Sequence, residues 1–478
     1  MLERATGMVK KFQGHLRDTV DAVVDLAETL GVPPKVTELL QGRGPTQEVF
    51  GPKRPAAAVD VNAQKMVPTD YSLADFFYAD EGEDPLTPPE EFPAWRQAAQ
   101  YEMGLYEPHL YGPPGPHVEI MRGGKRSKVI NLSSYNYMGL ATHPQVIRAA
   151  KKALNRYGTG ACGSPVLSGL ADLHRDLEQK LVAFTGRENV MLFNSGFGGA
   201  LGTVAGLLRK GDAAIMDAKC HLSLIDGAKL SGARLHFFDH NDANSLDQVL
   251  EKTKGKRRLM ICEGIYSMDG DMANLPELVP VAQQHNCSIF IDEAHSILAC
   301  GANGRGIVEH FGFEKEVGLQ FGTFSKSFAS VGGFIAGRYD TIDYLRFYSN
   351  PYGFSCALPP SVVAGLLKAL ELTTETDELR NILWDNTKYF REGLLDMGVN
   401  IGESTSQVVP IVIGSNRNLL YQLCHEMNDR GLFLAPVDFP SVPEDGLRYR
   451  AAVTAAHTKE DLAKALQIIK DTVVKRTQ

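Results

Sequence analysis

The chain has 478 residues, 44% hydrophobic and 22% charged, a balance that suits a folded globular protein of two or three domains. A formal net charge of −8 leaves no basic excess to neutralise phosphates and argues against nucleic acid as the main ligand. Cys162, Cys220, Cys262, Cys287, Cys300, Cys356 and Cys424 are scattered without a Cys-x-x-Cys pair, which gives no support to a structural zinc site and fits a reducing compartment.

Residues 4–30 carry Val9, Phe12, Leu16, Val20, Val23 and Leu30 at near-helical spacing, predicting an amphipathic helix. Asp18, Asp21, Asp25 and Glu28 beside Lys10, Lys11 and Arg17 favour packing on the body or on a second subunit over membrane docking. Residues 41–70, rich in Gly, Pro and Ala, read as a linker, and the acidic, proline-broken stretch 79–92 as an extended surface segment. Residues 1–115 thus form an N-terminal extension. No apolar run approaches the ~20 residues that span a bilayer, and the start lacks the basic-then-apolar pattern of a secretory signal. The expectation is a cytoplasmic protein without a transmembrane segment, for which peripheral membrane contact stays compatible.

From residue 129 short apolar runs alternate with amphipathic helices. Val129–Leu132 comes first, followed by a helix His143–Tyr157. Further runs are Asn189–Phe193, Ala213–Met216, Arg234–Phe238, Arg258–Cys262, Ser288–Ile291 and Leu319–Phe324. Dense Ile, Leu, Val and Phe without alternation suit strands buried on both faces, and the strand–helix repetition predicts an α/β fold with a mainly parallel sheet. This large domain spans residues 116–358. After Pro359 a long helix (Ser361–Thr374), strands Val408–Ile413 and Leu447–Val453, and a last helix Lys459–Val474 predict a smaller C-terminal α+β domain over 359–478.

The chemistry concentrates at a few strand ends. Lys326 lies in Thr323-Phe-Ser-Lys-Ser-Phe, where apolar walls favour loss of its proton and attack on an aldehyde. Asp292 ends another apolar strand, and a carboxylate there is what a pyridinium nitrogen needs. Together they suggest pyridoxal phosphate (PLP) chemistry. His295, three residues on, is spaced to reach the ring's phenolic oxygen. Asp-Glu-Ala-His is also a helicase motif, but the chain lacks a Gly-x-x-x-x-Gly-Lys-Ser/Thr loop. Asn194–Gly199 follows a strand and opens a helix, placing Gly196 and Phe197 where phosphate could meet backbone donors. Thr323, Ser325 and Ser267 are further candidates for such contacts. His221, past the strand Ala213–Met216, reads alone as a structural histidine. Arg450, in the strand Leu447–Val453, suits either a carboxylate clamp or a strand-edge ion pair, with nothing in the residues to choose between them.

Six spaced motifs then agree: Asn131–Leu140, Glu263–Asp271, Asp292–Ser296, Gly301–Gly306, Thr323–Lys326 and Thr454–His457. Over roughly residues 129–475 the chain resembles the α-oxoamine synthases, fold-type I PLP-dependent transferases. Gly322-Thr-Phe-Ser-Lys-Ser-Phe328 and Glu263-Gly-Ile-Tyr-Ser-Met-Asp-Gly270 look most like the serine palmitoyltransferases of that family. The resemblance implies that Lys326 carries the cofactor as a Schiff base and moves protons at the substrate α-carbon. It implies Asp292 on the ring nitrogen, His295 on the phenolic oxygen and His221 stacked on the ring. Gly196, Phe197, Ser267 and Thr323 would surround the phosphate and cofactor, and Ser355 would reach the phosphate from the other subunit of a homodimer with a shared active site. Arg450 would bind the substrate carboxylate, with Asn136 near the substrate. Pro165 stands where small-substrate members often carry Arg, which suits an acyl chain without a distal carboxylate.

The implied reaction is a decarboxylative Claisen-type condensation of an amino acid with an acyl thioester, carried by CoA or an acyl carrier protein, to give an α-amino ketone. Serine is the first expectation for the amino acid, with glycine or alanine behind it. Lys125–Lys128 or Arg209–Lys210 could meet an acidic carrier. An aminotransferase would share Lys326 and Asp292 but would lack the Glu263–Asp271 block. A regulatory subunit would be expected to have lost Lys326.

Overall fold

The structure, a computed structural model, describes residues 71–76, 84–102, 104–122 and 125–477. The expected helix 4–30, the linker 41–70 and the start of the acidic segment lie outside the described residues.

The backbone divides into two compact units. The first holds the described residues up to Glu107 with Gly414–Tyr421 and Val437–Leu447. Its centre is Trp95, ringed by Phe76, Phe92 and Tyr106 at centroid distances of 5.1, 5.9 and 5.6 Å. Asp438 accepts from Arg417 at 2.8 Å and from the Tyr421 hydroxyl, so its buried carboxylate is paired.

The second unit holds Pro108–Ile413, Gln422–Pro436 and the residues from Arg448 on. Its strands begin with β1 (Leu110–Tyr111), β2 (His117–Arg122) and β3 (Lys125–Asn131). β4 (Asn189–Phe193), β5 (Ala213–Asp217), β6 (Arg234–Phe238), β7 (Arg258–Glu263), β8 (Ser288–Asp292), β9 (Leu319–Thr323) and β10 (Gly333–Gly337) follow. Later come β11 (Val408–Gly414), β12 (Leu432–Phe433), β13 (Pro436–Val437) and β14 (Leu447–Ala452). The central sheet has the order β4-β10-β9-β8-β7-β5-β6, parallel from β9 through β6, with β10 antiparallel to both neighbours. This is the mainly parallel α/β fold that the sequence leads one to expect.

Two details differ from expectation. The run Val129–Leu132 does not open the central sheet; its strand β3 pairs with β2 and β12 in a separate sheet of order β1-β2-β3-β12. Strand β10 is absent from the sequence reading, because Gly333-Phe-Ile-Ala-Gly337 has glycine at both ends and a weak strand preference.

Both faces of the central sheet are covered. Ile215, Met260, Ile289 and Phe334 bury one face under the helices Ala243–Lys252, Leu275–Gln284 and Pro360–Glu375. Ala214, Met216, Ile261, Phe290 and Phe321 bury the other under the helices Gly196–Leu207 and Leu222–Ser231. Alternate residues of one strand serve opposite cores, so the strands must be apolar throughout. The helix Gly196–Leu207 sits close enough that a Cβ on Gly199 would lie 2.8 Å from the Phe321 ring. Crossover connections then return every parallel strand in the same direction, and their C-terminal ends share one edge. Among the described residues no helix is long and apolar enough to cross a membrane.

Candidate active site

Three neighbouring strands end in Glu263, Asp292 and Thr323 at this edge. Glu263 and Asp292 are register partners, so their side chains leave the sheet on the same side. They face a cavity of about 400 Å³ whose walls also include Gly196, Phe197, His221, His295, Thr323 and Lys326. Eight residues predicted from the sequence, Ser325 among them, are therefore brought together, and Glu263 joins them.

Lys326 sits on the connection between β9 and β10. Phe324 and Phe328 flank it in the core with ring centroids 5.1 Å apart. The Phe324 N–H donates to the Gly332 carbonyl at 2.8 Å, and the Ala329 N–H to that of Lys326 at 2.9 Å. Burial pulls the Lys326 ammonium down to about 8, against Asp292 and Glu263, which favour its charge. Burial likewise pushes Asp292 up to about 6, with Lys326 opposing. Asp292 Oδ1 accepts the Ala294 N–H at 2.9 Å, and the second oxygen accepts no hydrogen bond from the described residues. Glu263 is raised well above the carboxylate range by burial and then by Asp292. Its Oε2 accepts the Ser267 N–H at 3.3 Å, while its buried Oε1 has no partner among the described residues.

His295 is buried against Tyr137, whose hydroxyl lies 2.8 Å from Nδ1. Burial raises the phenol and lowers the imidazole, so Tyr137 donates and the neutral ring keeps its proton on Nε2. That N–H makes no hydrogen bond to the described residues and is available to an acceptor in the cavity. Gln407 Nε2 donates to the His295 carbonyl at 2.6 Å and steadies the turn. At the cavity mouth, His221 caps the helix Leu222–Ser231 by accepting the Ser223 N–H at Nδ1, 3.3 Å away. The surrounding walls, and then the Lys326 charge, push this imidazole down to about 4, so it too is neutral. The Phe197 ring meets it edge-on at 6.2 Å.

The opposite wall is the start of the helix Gly196–Leu207. Ser195 Oγ caps the Gly198 N–H at 3.1 Å, which leaves the N–H groups of Gly196 and Phe197 unused within the helix. Thr323 Oγ1 lies 2.9 Å from Ser325 Oγ and donates to the Gly332 carbonyl at 3.1 Å. A Cβ on Gly196 would stand 2.5 Å from Thr323 Oγ1, so only glycine leaves this corner open. Free amides, a helix dipole and hydroxyls at one corner suit a phosphate. With a lysine and a buried, unspent carboxylate oxygen across the cavity, the residues fit PLP.

The remaining predicted residues lie elsewhere. Ser267 and Arg450 meet each other: Arg450 Nη1 donates to the Ser267 carbonyl at 2.8 Å. Arg450 also donates to the Tyr135 hydroxyl, with its guanidinium 4.7 Å from that ring's centroid, and makes no ion pair among the described residues. Asn136 is spent on the fold, donating to the Pro114 carbonyl at 3.2 Å and accepting the Ala141 N–H at 3.3 Å. Ser355 accepts from Asn194 Nδ2 at 3.1 Å and donates to the Pro351 carbonyl, outside the cavity walls. Sequence reasoning missed Glu263, Tyr135, Tyr137 and Gln407 as individual residues. Glu263 carried a usable signal, an acid ending an apolar strand beside that of Asp292.

Residues 127–469 match the family described as aminotransferase class I and II. The chain belongs to that family. The 8-amino-7-oxononanoate synthase of Thermoanaerobacter pseudethanolicus is 40% identical over 360 residues, 75% of this chain and 90% of the relative. That of Symbiobacterium thermophilum is 41% identical over 369 residues, 76% and 93% of the two chains. Among solved structures, a serine palmitoyltransferase from S. paucimobilis with a bound PLP–myriocin aldimine superposes with a TM-score of 0.77 at 32% identity, covering 81% of this chain and 98% of that one. Sphingomonas wittichii serine palmitoyltransferase gives 0.77 at 33% identity, covering 81% and 97%. Within the aminotransferase class I and II family this chain is an α-oxoamine synthase, a PLP-dependent acyltransferase.

Proposed function

We propose that the chain condenses serine with a long-chain acyl thioester, releasing the thiol and carbon dioxide and leaving an α-amino ketone. The observation that carries this reading is the cavity itself. Lys326 stands opposite Asp292, the rim is apolar at Phe197 and Val331, and no Arg or second Lys is in the lining among the described residues. Such walls suit an acyl chain that lacks a distal carboxylate, in keeping with Pro165. The likeness to serine palmitoyltransferase structures supports the same choice.

Bound PLP supplies an electron sink for a carbanion at the substrate α-carbon. In this proposal Lys326 would hold the cofactor and would also carry the α-proton, a task suited to an amine poised near 8. With PLP bound, Asp292 would keep the ring nitrogen protonated, His295 Nε2–H would donate to the phenolic oxygen and His221 would cover the ring. The Gly196 and Phe197 amides with Thr323 would hold the phosphate, and Ser267 would come beside the cofactor from outside the cavity walls, next to the Arg450 guanidinium that its carbonyl holds. Arg450, free of any carboxylate among the described residues, takes the substrate carboxylate, with Asn136 close by. The working form is a homodimer in which Ser355 serves the partner's cofactor. Large apolar side chains at 74% (Phe347), 88% (Phe354) and 84% (Leu167) exposure support a covering second copy.

The test loads the protein with PLP and titrates serine, glycine and alanine, then adds acyl thioesters of graded length on CoA and on a carrier protein. A saturable change of cofactor absorbance with serine, followed by thiol and carbon dioxide release with long chains, is the expected result. Preference for alanine or glycine would favour the second reading, which the 40% identity to 8-amino-7-oxononanoate synthases recommends. That reading places the chain in a biotin-like or natural-product route rather than in sphingolipid synthesis. Conversion of the cofactor to its amine form without condensation would overturn both.

A further inference from the structure

We infer that His240 is a positioning residue, an imidazolium held between Asp217 and Asp271 that fixes the turn carrying His221 against the turn carrying Ser267. The inference rests on the functional reading above, which places both turns in the site.

His240 follows β6 and touches neither the cavity nor Lys326. Its Nδ1 lies 2.9 Å from Asp217 Oδ1, and its Nε2 2.8 Å from Asp271 Oδ2. A neutral imidazole has one N–H and could donate to only one of these carboxylates; the cation donates to both. Burial opposes the charge, but the hydrogen bonds to Asp217 and Asp271 outweigh it and lift the ring to about 9. Tyr266 closes the remaining side, edge-on with centroids 4.4 Å apart.

The two carboxylates belong to different turns. Asp217 ends β5, and the chain reaches His221 four residues later. Asp271 closes the turn after β7: its carbonyl accepts the Tyr266 N–H at 3.0 Å, and Ser267, the acceptor for Arg450, follows Tyr266 directly. Asn241 repeats the bridge without charge, its N–H on Asp217 Oδ2 and its Nδ2 on Asp271 Oδ2, both at 3.0 Å. A second ionic link runs parallel: Lys219 meets Asp269 at 3.2 Å, and Asp269 meets Arg448 at 2.7 Å. Three cations thus balance three carboxylates across the same two turns, and His240 is the one among them whose charge is pH-dependent near neutrality.

Removing the cation leaves Asp217 and Asp271 facing each other without charge compensation, with only Asn241 and the Lys219–Asp269 pair left to hold the turns, which therefore loosen. His221 would then leave its place over the cavity, and the Ser267 carbonyl would no longer set the Arg450 guanidinium. Histidine hydrogen–deuterium exchange read by mass spectrometry, on the full chain with and without PLP, gives each imidazole its own midpoint. The expected value for His240 is near 9, and a midpoint at or below the ordinary 6.5 overturns the cation.

The companion variant is His240→Gln, which keeps a polar side chain able to donate but loses the charge. It is expected to raise the PLP dissociation constant and the amino-acid KM, each roughly tenfold, while kcat per loaded site changes less. Asp271→Asn added to it removes one stranded charge and should recover most of the loss, which a purely structural ring would not allow. A wild type that binds PLP beside an H240Q chain with the same affinity and KM overturns the positioning role alone. A wild type that retains no PLP on Lys326 after borohydride reduction defeats the functional reading instead. If H240Q is not recovered folded, Asp271→Asn alone decides. It leaves the ring one carboxylate, and its PLP affinity should fall relative to wild type as the pH rises from 7 to 9; an unchanged ratio overturns the proposal.

Discussion

Replacing Asp292 by asparagine is expected to strengthen the cofactor-free fold while weakening the site. Asp292 is buried, and its carboxyl midpoint moves from the ordinary 3.8 to about 6. At ~1.4 kcal/mol per pH unit, keeping it ionised at pH 7 costs the folded chain about 3 kcal/mol. Asparagine avoids that cost but also removes the attraction that favours a charged Lys326, so a net gain of about 1–3 kcal/mol is expected. The sign with pH follows from the proton count. Between 3.8 and about 6 the folded wild type holds a proton that the unfolded chain has lost, so this group adds stability as pH falls through the window. The asparagine chain lacks that slope. Urea unfolding of both PLP-free proteins from pH 7 to pH 4 measures it. The variant should be the more stable at pH 7, and the gap should close toward pH 4. A variant less stable at pH 7, or a gap independent of pH, would refute the reasoning. In the loaded enzyme the same change should sharply reduce turnover, because a neutral amide cannot hold a pyridinium proton.

Gly196→Ala places a Cβ 2.5 Å from Thr323 Oγ1 and should weaken PLP affinity roughly tenfold with little change in unfolding midpoint; equilibrium dialysis checks it, and unchanged affinity argues against a phosphate at that corner. Arg450→Lys keeps the charge but loses the planar fork, so the amino-acid KM should rise roughly tenfold while cofactor absorbance is unaltered. Glu263→Gln copies the neutral acid that burial favours and should leave stability within ~0.5 kcal/mol of wild type; a large loss in urea unfolding would mean that the residue is held ionised. Phe334→Ala, beneath the Lys326 connection and fully buried, should cost about 3–5 kcal/mol in the same assay.

The central sheet was legible because its strands are apolar on both faces; Asn189–Phe193 and Arg234–Phe238 were bounded to the residue. Asp292 and Lys326 were legible for a related reason, since a charge that ends an apolar run has few purely structural uses. What escaped depends on partners distant in the chain. Tyr137 matters through His295, 158 residues away, and Gln407 through the same turn, 112 residues away. No local pattern announces such pairs. The strand β10 escaped because its glycines answer to crowding, by Phe321 at Gly333 and by Leu319 at Gly337, rather than to any intrinsic preference. Val129–Leu132 has the composition of a strand and lies largely in one, but in the smaller sheet, since composition does not tell which edge a strand will join.

The reversed direction of β10 has a mechanical consequence for Lys326. Gly333 pairs with Thr323, so the connection that carries the lysine rises and lands on adjacent strands at the same height. It is an arch with both footings set in the sheet, and two buried phenylalanines act as its keystones. A lysine on a hinged flap could be brought up by closure; here reach comes only from the four methylenes of its own side chain. One residue added to or removed from the arch would shift the amine by a whole residue spacing, about 3.3 Å along an extended chain, while the footings stay paired. The loops around the mouth can change length to admit other acyl chains, whereas the span from Thr323 to Gly333 is fixed by its footings.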